Sequence, residues 1–523
     1  MIFTTLKFLI FFVIVFLAYY IVPKKCQWLV LLAGSVYFYL CASVKYVIFV
    51  ILASVFTYVG ALIISNTNQS RDTYLKENKE NLSKDEKKAY KAKVEKKNKI
   101  VVTITTIATL SMLLVMKYTS FALENISAIF NVFNLNFNTP AWNFVLPLGI
   151  SFYTFMSIGY CIDVYRENYA AEKNFLKYFL FISYFPHILQ GPMDKYDEVS
   201  KELFAEKKFD YSRAVQGAYR ITIGVLKKML VADKLAEIVG IVTTNLDQYY
   251  GVNILIAIIF YAIQLYADFS GYMDIAIGCS EILGIKIAEN FDAPYFSKSI
   301  AEYWRRWHIS LGAWFRDYLY YPILRGKNAE KIRKHFKNKN KKFLANTMPT
   351  VFALAILWTL IGFWHGSTWA FILYGMYHGS IIIISTLLEP LYNKFHEKFA
   401  GFVKTKIFGA IQIIRTFCLV LIGYFLFCIG ELAPALKMFE NMFKNNLDGF
   451  KIITEMSTES IVSVIFGSII LLILDILVIK EINIYEKFRN VPAIFRWPVY
   501  ACMIFVIVML AGGKPQEFLY FQF

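Results

Sequence analysis

This sequence predicts an all-α polytopic membrane protein, on three observations. Of its 523 residues 57% are apolar and 18% charged, and the mean hydropathy is +0.48. Apolar runs of about 20 residues, enough to cross a ~30 Å hydrocarbon core, recur along nearly the whole length. The basic excess, net +17, sits in short stretches between those runs, where the positive-inside rule puts it. The same charge on a soluble chain would suggest nucleic acid. In these loops it indicates the lipid bilayer as partner and no nucleic acid.

Three runs come first, at about Phe3 to Val22, Trp28 to Leu40 and Val47 to Ile64. The first is followed by no small-residue cleavage site and reads as a retained helix, not a signal peptide. Arg71 to Lys99 carries eleven Lys/Arg against six Asp/Glu, with Glu and Lys at helical spacing. It is predicted to be a solvated, helical, cytoplasmic loop. Three spans before it place the N-terminus outside. Ile100 to Met116 crosses again, and Leu123 to Asn143, uncharged except for Glu124, fits the outer face.

From Phe144 the pattern is broken. VLPLGISFYTF (145–155) holds Pro147 and Gly149, and YFPHILQGPM (184–193) holds two prolines and a glycine around His187. Broken helices at membrane depth need protein or a watery cavity to satisfy freed backbone groups, so an interior site is expected in this region. Asp210 to Asn245 reads as a mixed helix pair or an amphipathic helix, Val252 to Leu283 as a span with tilt, and Asn290 to Arg325 as too polar to span. Arg325 to Lys342, with nine Lys/Arg and one Glu, is the strongest cytoplasmic marker. Spans resume at about Thr350 to Phe363, Trp369 to Leu388, Ile407 to Gly430, Ile461 to Ile479 and Trp497 to Ala511. The count is ten or eleven crossings in one integral membrane domain, 1–523, with basic cytoplasmic loops at 71–99 and 325–342. No internal repeat is evident, which weighs against an inverted-repeat transporter. Seven cysteines lie singly in apolar segments without a CxxC. They read as small core residues, with neither a disulfide framework nor a metal site.

YAIQLYADFSGYMDIAIG (261–278) places Gln264, Asp268 and Asp274 in an apolar run. Carboxylates at that depth are costly unless paired, which makes them substrate-site or relay candidates. The competing reading is structural pairing with Arg305, Arg306 or Arg316. In EYWRRWHISLGAWFRDYLYYPIL (302–324), Trp304, Trp307, Leu311, Trp314 and Tyr318 recur at three and four, the stripe of an amphipathic helix lying in the interface or dipping inward. His308 borders that stripe. His335 and His396 lie among lysines and read as solvated.

His365 and His378 are thirteen residues apart, an offset of about 220° on a straight helix, so one straight helix cannot aim both at one site. A break is expected at Gly366-Ser367-Thr368, where helix breakers and N-cap residues meet. His365, exposed at that break beside Trp364, is the better candidate for chemistry. His378 lies in Gly375-x-x-x-Gly379, the small-residue spacing that lets another helix approach closely, and packing is at least as good an account of it. No H-x-x-x-H, H-x-x-H-H or HExxH pairing supports a metal. GxSxG elbows and glycine-rich phosphate loops are also absent. What remains is a histidine able to take a proton from a hydroxyl, with a second histidine and carboxylates nearby.

LPLGISFYTF (146–155), IDVYR (162–166), QGPM (190–193), DFSGYMDIAIG (268–278), NFDAPYFSKSIAEYWRRWHISLGAWFRDYLYYP (290–322) and GFWHG…YGMYHG (362–379) together resemble the membrane-bound O-acyltransferase superfamily. The N-terminal MIFTTLKFLIFFVIVFLAYYIVP and the final FLYFQF look like its alginate O-acetylation branch more than its teichoic acid D-alanylation branch. His187, Gln190 and Ala267 depart from the pattern. The resemblance implies a ring of helices around a tunnel, with a catalytic core over 144–388. It implies His365 as the essential histidine, here a general base, and His308 as the second polar position, orienting substrate or donating to an oxyanion. Trp304, Trp364 and His378 would line the tunnel with Asp268 and Asp274, and Arg305 or Arg306 would draw in an anionic donor. It further implies acetyl-CoA as donor with no permanently bound cofactor, and an exported or cell-wall polysaccharide as acceptor. An SGNH-type extracytoplasmic acetyltransferase, and a polysaccharide synthase complex, are the partners it implies, at the cytoplasmic membrane of a bacterium. The alternatives are a D-alanyl transferase fed by a carrier protein, and a transporter of the polymer or acyl group.

Overall fold

The structure, a computed structural model, describes residues 2–135, 146–445, 449–510 and 518–519. Among these residues the elements are helical, with one isolated bridge between Phe291 and Trp307. Eight described helices are long and apolar enough to cross a membrane, and two shorter apolar helices, Leu6–Ile21 and Ala493–Val508, accompany them. The protein is a multi-pass membrane protein. The outer-face segment expected over 123–143 lies outside the described residues beyond 135, as do Val145 and the last four residues. The chain divides into two compact units, Met1–Gly217 with Cys279–Ala288, and Ala218–Gly278 with Glu289–Phe523.

The first unit contains α1 (Leu6–Ile21), α2 (Gln27–Ala42), α3 (Val47–Glu77), α4 (Lys84–Val132), α5 (Ile150–Tyr165), α6 (Phe175–Ser183) and α7 (Tyr196–Leu203). The predicted basic loop is mostly helix, because α3 and α4 both continue into it. A reciprocal capping box between Ser83 and Glu86 starts α4 and satisfies backbone donors that its first turn leaves open. After α6 the chain is irregular through Asp194 yet buried. Protein meets part of it: the Phe185 amide donates to Ser35 Oγ at 3.1 Å, and His187 Nε2 lies 3.0 Å from Asp194 Oδ2, while the Gln190 side-chain amide is buried without a hydrogen bond among the described residues. Gly149, at φ +69, starts α5 where a Cβ would fall 1.8 Å from the Ile188 carbonyl oxygen. Only glycine supplies both that backbone and that clearance.

The second unit takes in α8 (Tyr211–Leu226) from Ala218 onward, a π-helical segment Lys227–Ala232, α9 (Asp233–Thr244) and most of α10 (Val252–Ile282). The helix pair or amphipathic helix expected over Asp210–Asn245 is thus one contiguous helical stretch with a π segment in it. The short α11 (Ile300–Arg306) and α12 (Ile309–Phe315) follow, then the basic α13 (Lys327–Asn338). The spans α14 (Lys342–His365), α15 (Trp369–Leu387), α16 (Lys406–Ile429) and α17 (Thr458–Ile479) lead to α18 (Ala493–Leu510). Two thirds (67%) of the apolar window of α10 is buried, against 22–39% for the other seven spans. That enclosure explains why its polar residues need partners from the protein.

Two expectations are corrected. The stripe Trp304 to Tyr318 does not lie on one interfacial amphipathic helix. His308 takes a left-handed backbone, φ 47 and ψ 55, between α11 and α12, and Trp307, Leu311, Trp314 and Tyr318 are buried in protein. The arginines of this segment do not pair with the α10 carboxylates. Arg306 meets Glu302 and Arg316 meets its neighbour Asp317, partners one turn or one residue away that need no long reach.

Candidate active site

The helix break falls where the glycine and the two hydroxyl residues stand: α14 ends at His365 and α15 begins at Trp369. Thr368 occupies the N-cap position without capping, and its hydroxyl donates to the Gly430 carbonyl at 2.5 Å. His365 is buried, not exposed, because the two helices fold back closely on each other. A Cβ on Gly375 would lie 2.3 Å from the Trp358 carbonyl oxygen and 2.6 Å from the Gly362 nitrogen, and one on Gly379 2.4 Å from Trp358 Cβ. The small residues therefore permit a backbone contact that larger ones forbid.

Folding back brings together what the sequence separation held apart. Tyr374 on α15 has its ring centroid 5.8 Å from His365 and 4.7 Å from His378. Phe427 of α16 stands 5.1 Å from His365, and Trp304 of α11 lies 5.3 Å from His378. Trp364 is 4.8 Å from His365 and 6.1 Å from His308, so one indole touches both candidate histidines. His378 is fully buried against α16, where a Cβ on Gly423 would sit 2.7 Å from its Nε2. It packs as expected, but inside the same aromatic enclosure.

His308 has a support that the sequence reading missed. Asn290 Oδ1 accepts the Ser310 amide at 2.9 Å and stands 3.4 Å from His308 Nδ1, while the Asn290 carbonyl accepts the Ile309 amide at 3.0 Å. One asparagine thus fixes the chain on the far side of His308 and faces its ring. Burial pushes the His308 imidazole down to about 3, which keeps it neutral. With the Asn290 oxygen as acceptor the ring proton belongs on Nδ1, leaving Nε2 as an acceptor. Tyr303, Tyr424 and Tyr295 extend the polar framework, hydroxyl to hydroxyl, at 2.8 and 3.2 Å. Asn290 opens the quoted NFDAP run, and its position in that motif was the available signal.

The carboxylates of α10 are held elsewhere. Asp268 Oδ1 accepts from Lys228 at 2.6 Å and its Oδ2 accepts the Leu519 amide at 2.8 Å. Lys228 also reaches Asp233 at 2.9 Å and lies over the Phe518 ring at 4.5 Å. Asp274 is met by Arg220 at 3.1 Å and Lys227 at 2.7 Å. Structural pairing accounts for both aspartates, as the competing reading had it, but with Lys228, Lys227 and Arg220 in place of the arginines of 305–316. Arg305 is exposed and Arg306 half-buried on its Glu302 pair.

Fold and site define a multi-pass membrane protein with histidines enclosed by aromatic rings at a helix break. The family model described as "MBOAT, membrane-bound O-acyltransferase family" matches residues 100–430, and the chain belongs to that family. It is 33% identical over 327 residues to the protein named "Probable alginate O-acetylase AlgI" of Azotobacter vinelandii, covering 62% of this chain and 59% of that relative. The chain thus spans less than two thirds of that relative's length. It is 28% identical over 461 residues to a peptidoglycan O-acetyltransferase of Helicobacter pylori, covering 82% and 76% of the two chains. A teichoic acid D-alanyltransferase of Bacillus subtilis is 31% identical over 301 residues, 55% of this chain and 70% of that one.

Proposed function

We propose that this protein is an O-acyltransferase that acetylates an exported or cell-wall polysaccharide, taking acetyl from acetyl-CoA at the cytoplasmic face and delivering it to a hydroxyl at the outer face. The observation that carries this reading is the enclosed pair His365 and His308, with ring centroids 4.8 and 6.1 Å from that of Trp364, in a member of an acyltransferase family. His365 takes the proton of the incoming hydroxyl as its oxygen attacks the thioester carbonyl. The tetrahedral intermediate collapses, the C–S bond breaks, and the CoA thiolate leaves and recovers a proton. The attacking hydroxyl's one proton goes to His365, so neutral His308, an acceptor at Nε2, orients the incoming substrate through a second donor beside that hydroxyl. This favours the orienting role over oxyanion donation, which needs an N–H at that edge. The aromatic enclosure keeps water from intercepting the acyl group. Exposed Arg305 supports attraction of the anionic donor.

The hydroxyl belongs to a serine of an SGNH-type partner or to the polymer itself, within or beside a synthase complex. The protein sits in the cytoplasmic membrane of a bacterium with its N-terminus outside and its 71–99 and 325–342 stretches inside, a reading supported by their basic charge. The longer alignment with the peptidoglycan enzyme than with the D-alanyl transferase, 82% against 55% of this chain, supports acetyl over D-alanyl. The test is purified protein in vesicles without an ion gradient, given labelled acetyl-CoA and a glycan acceptor. Labelled ester on the glycan, or on an added SGNH-type partner, is expected. Transfer only from a D-alanyl carrier thioester contradicts the donor assignment, and no transfer from either contradicts the enzymatic reading.

A further inference from the structure

Between α8, α17 and α18 the second unit holds an elongated cavity of about 330 Å³. At one end Tyr219 stacks on Phe488, ring centroids 6.2 Å apart. At the other, Gly467 lies so close to α8's π-helical continuation that a Cβ would sit 2.4 Å from Val231. The cavity follows α18 from Val499 to Val506, roughly 10 Å at 1.5 Å per residue. Its walls are almost wholly apolar. The one cation among the lining residues, Lys227, already donates to Asp274 at 2.7 Å. An apolar cavity of even ~150 Å³ stays dry and takes apolar guests. In a wall built partly by a membrane-spanning helix, hydrocarbon is the guest at hand.

The Phe488 end says which hydrocarbon. Segment 480–496 carries Lys480, Lys487, Arg489 and Arg496 against Glu481 and Glu486, a basic balance that places it on the cytoplasmic side, where anionic lipids concentrate. Trp497 and Tyr500, 6.2 Å apart, and Phe488, 5.6 Å from Tyr500, form an interfacial aromatic group there. Arg496 stands on the same α18 face as Val499 and Met503, one and two turns earlier. Its Nε is shielded from solvent and makes no hydrogen bond among the described residues. A shielded guanidinium N–H is costly unless an acceptor reaches it, and a phosphate oxygen is the strongest one a bilayer offers.

We propose that this cavity binds one acyl chain of an anionic phospholipid of the cytoplasmic leaflet, with the lipid phosphate on Arg496. The site is independent of acyl transfer and anchors α18 to α8 and α17 through a bound lipid.

The experiment reconstitutes the full-length protein in phosphatidylcholine vesicles containing phosphatidylglycerol with a diazirine in one acyl chain, and maps crosslinks by mass spectrometry. Crosslinks are expected within Phe466–Leu474 and Val499–Val506, displaced by unlabelled phosphatidylglycerol and not by added phosphatidylcholine. Arg496→Gln, which keeps the helix intact, should lower them several-fold, and Met503→Trp, which fills the cavity, should abolish them. Crosslinks spread evenly over other lipid-facing helices such as α16, or equal displacement by neutral lipid, overturn the proposal. So does a cavity closed by a second copy of the chain, seen as dimers in light scattering without lipid crosslinks.

Discussion

Asp268 and Asp274 on α10, and His308 and His365 around Trp364, are ionisable groups in the same apolar unit, yet the protein surrounds them differently. Each aspartate is clamped by basic side chains or a backbone amide at 2.6–3.1 Å. The histidines are walled by aromatic rings at 4.8–6.1 Å, and His308 faces a neutral amide. A clamped charge holds helices in place, because moving it exposes an unpaired ion to low dielectric. A ring held by an aromatic wall and not by a counter-charge keeps its proton chemistry available. The difference separates the framework carboxylates from the candidate catalytic histidines more sharply than depth in the membrane does.

The largest effect expected from breaking the comparison is on the framework side. Lys228→Ala leaves the buried Asp268 without its cation and the half-buried Asp233 without its partner, at a cost of about 3–5 kcal/mol. Folded yield and thermal unfolding in detergent should both drop. Adding Asp268→Asn to Lys228→Met should restore much of the loss, since the uncompensated charge and not the missing contact is responsible.

Gly375→Leu comes next. Its side chain must displace the α14 backbone, and a shift of about 1 Å between His365 and its surroundings costs on the order of 100-fold in rate. Gly401→Leu, where a Cβ meets open space, is the matched control and should leave transfer unchanged.

His308 sharpens the comparison because its backbone is left-handed. His308→Gly relieves that geometry and His308→Ala does not, so the glycine variant should be the more stable by about 1 kcal/mol while both lose acyl transfer. The His308 ring lies outside the eight membrane-spanning helices, and burial pushes its pKa to about 3. Between there and about 6.5 the unfolded chain holds a proton that the folded one does not. Stability therefore declines as pH falls through that window, and His308→Asn should remove this contribution.

The smallest effect belongs to Arg305→Gln. The side chain is exposed, so the expected result is a several-fold rise in KM for the acyl donor, lessened by salt, with kcat unchanged.

The fold class was legible because hydrocarbon thickness writes itself into run length, and positive charge into the loops. The helix break before Trp369 and the close approach at Gly375 were legible because glycine and hydroxyl residues have few other uses there. The two-part α11–α12 segment was not. Its aromatic residues keep helical spacing through His308, and the turn is made by long-range bonds to Asn290, eighteen residues before His308, which accepts from the Ile309 and Ser310 amides. The partners of Asp268 and Asp274 escaped for a related reason. The arginines of 305–316 were the obvious candidates by sequence, while Lys227 and Lys228 lie about forty to fifty residues before the aspartates in a π-helical segment that hydrophobic periodicity does not reveal, and Arg220 lies just before it on α8. That His308 and His365 both stand against Trp364 is likewise a tertiary fact, although the motifs carrying each histidine were visible.

The most direct test of the central claim is single-turnover transfer of labelled acetyl from acetyl-CoA in reconstituted protein, comparing His365→Gln with Asp274→Asn in samples matched for folded yield. Loss of transfer by about 10²–10⁴-fold in the histidine variant, with the aspartate variant near the parent rate per folded molecule, is the predicted result. Equal losses in both, or normal transfer by His365→Gln, would contradict the assignment of the chemistry to the histidine at the helix break.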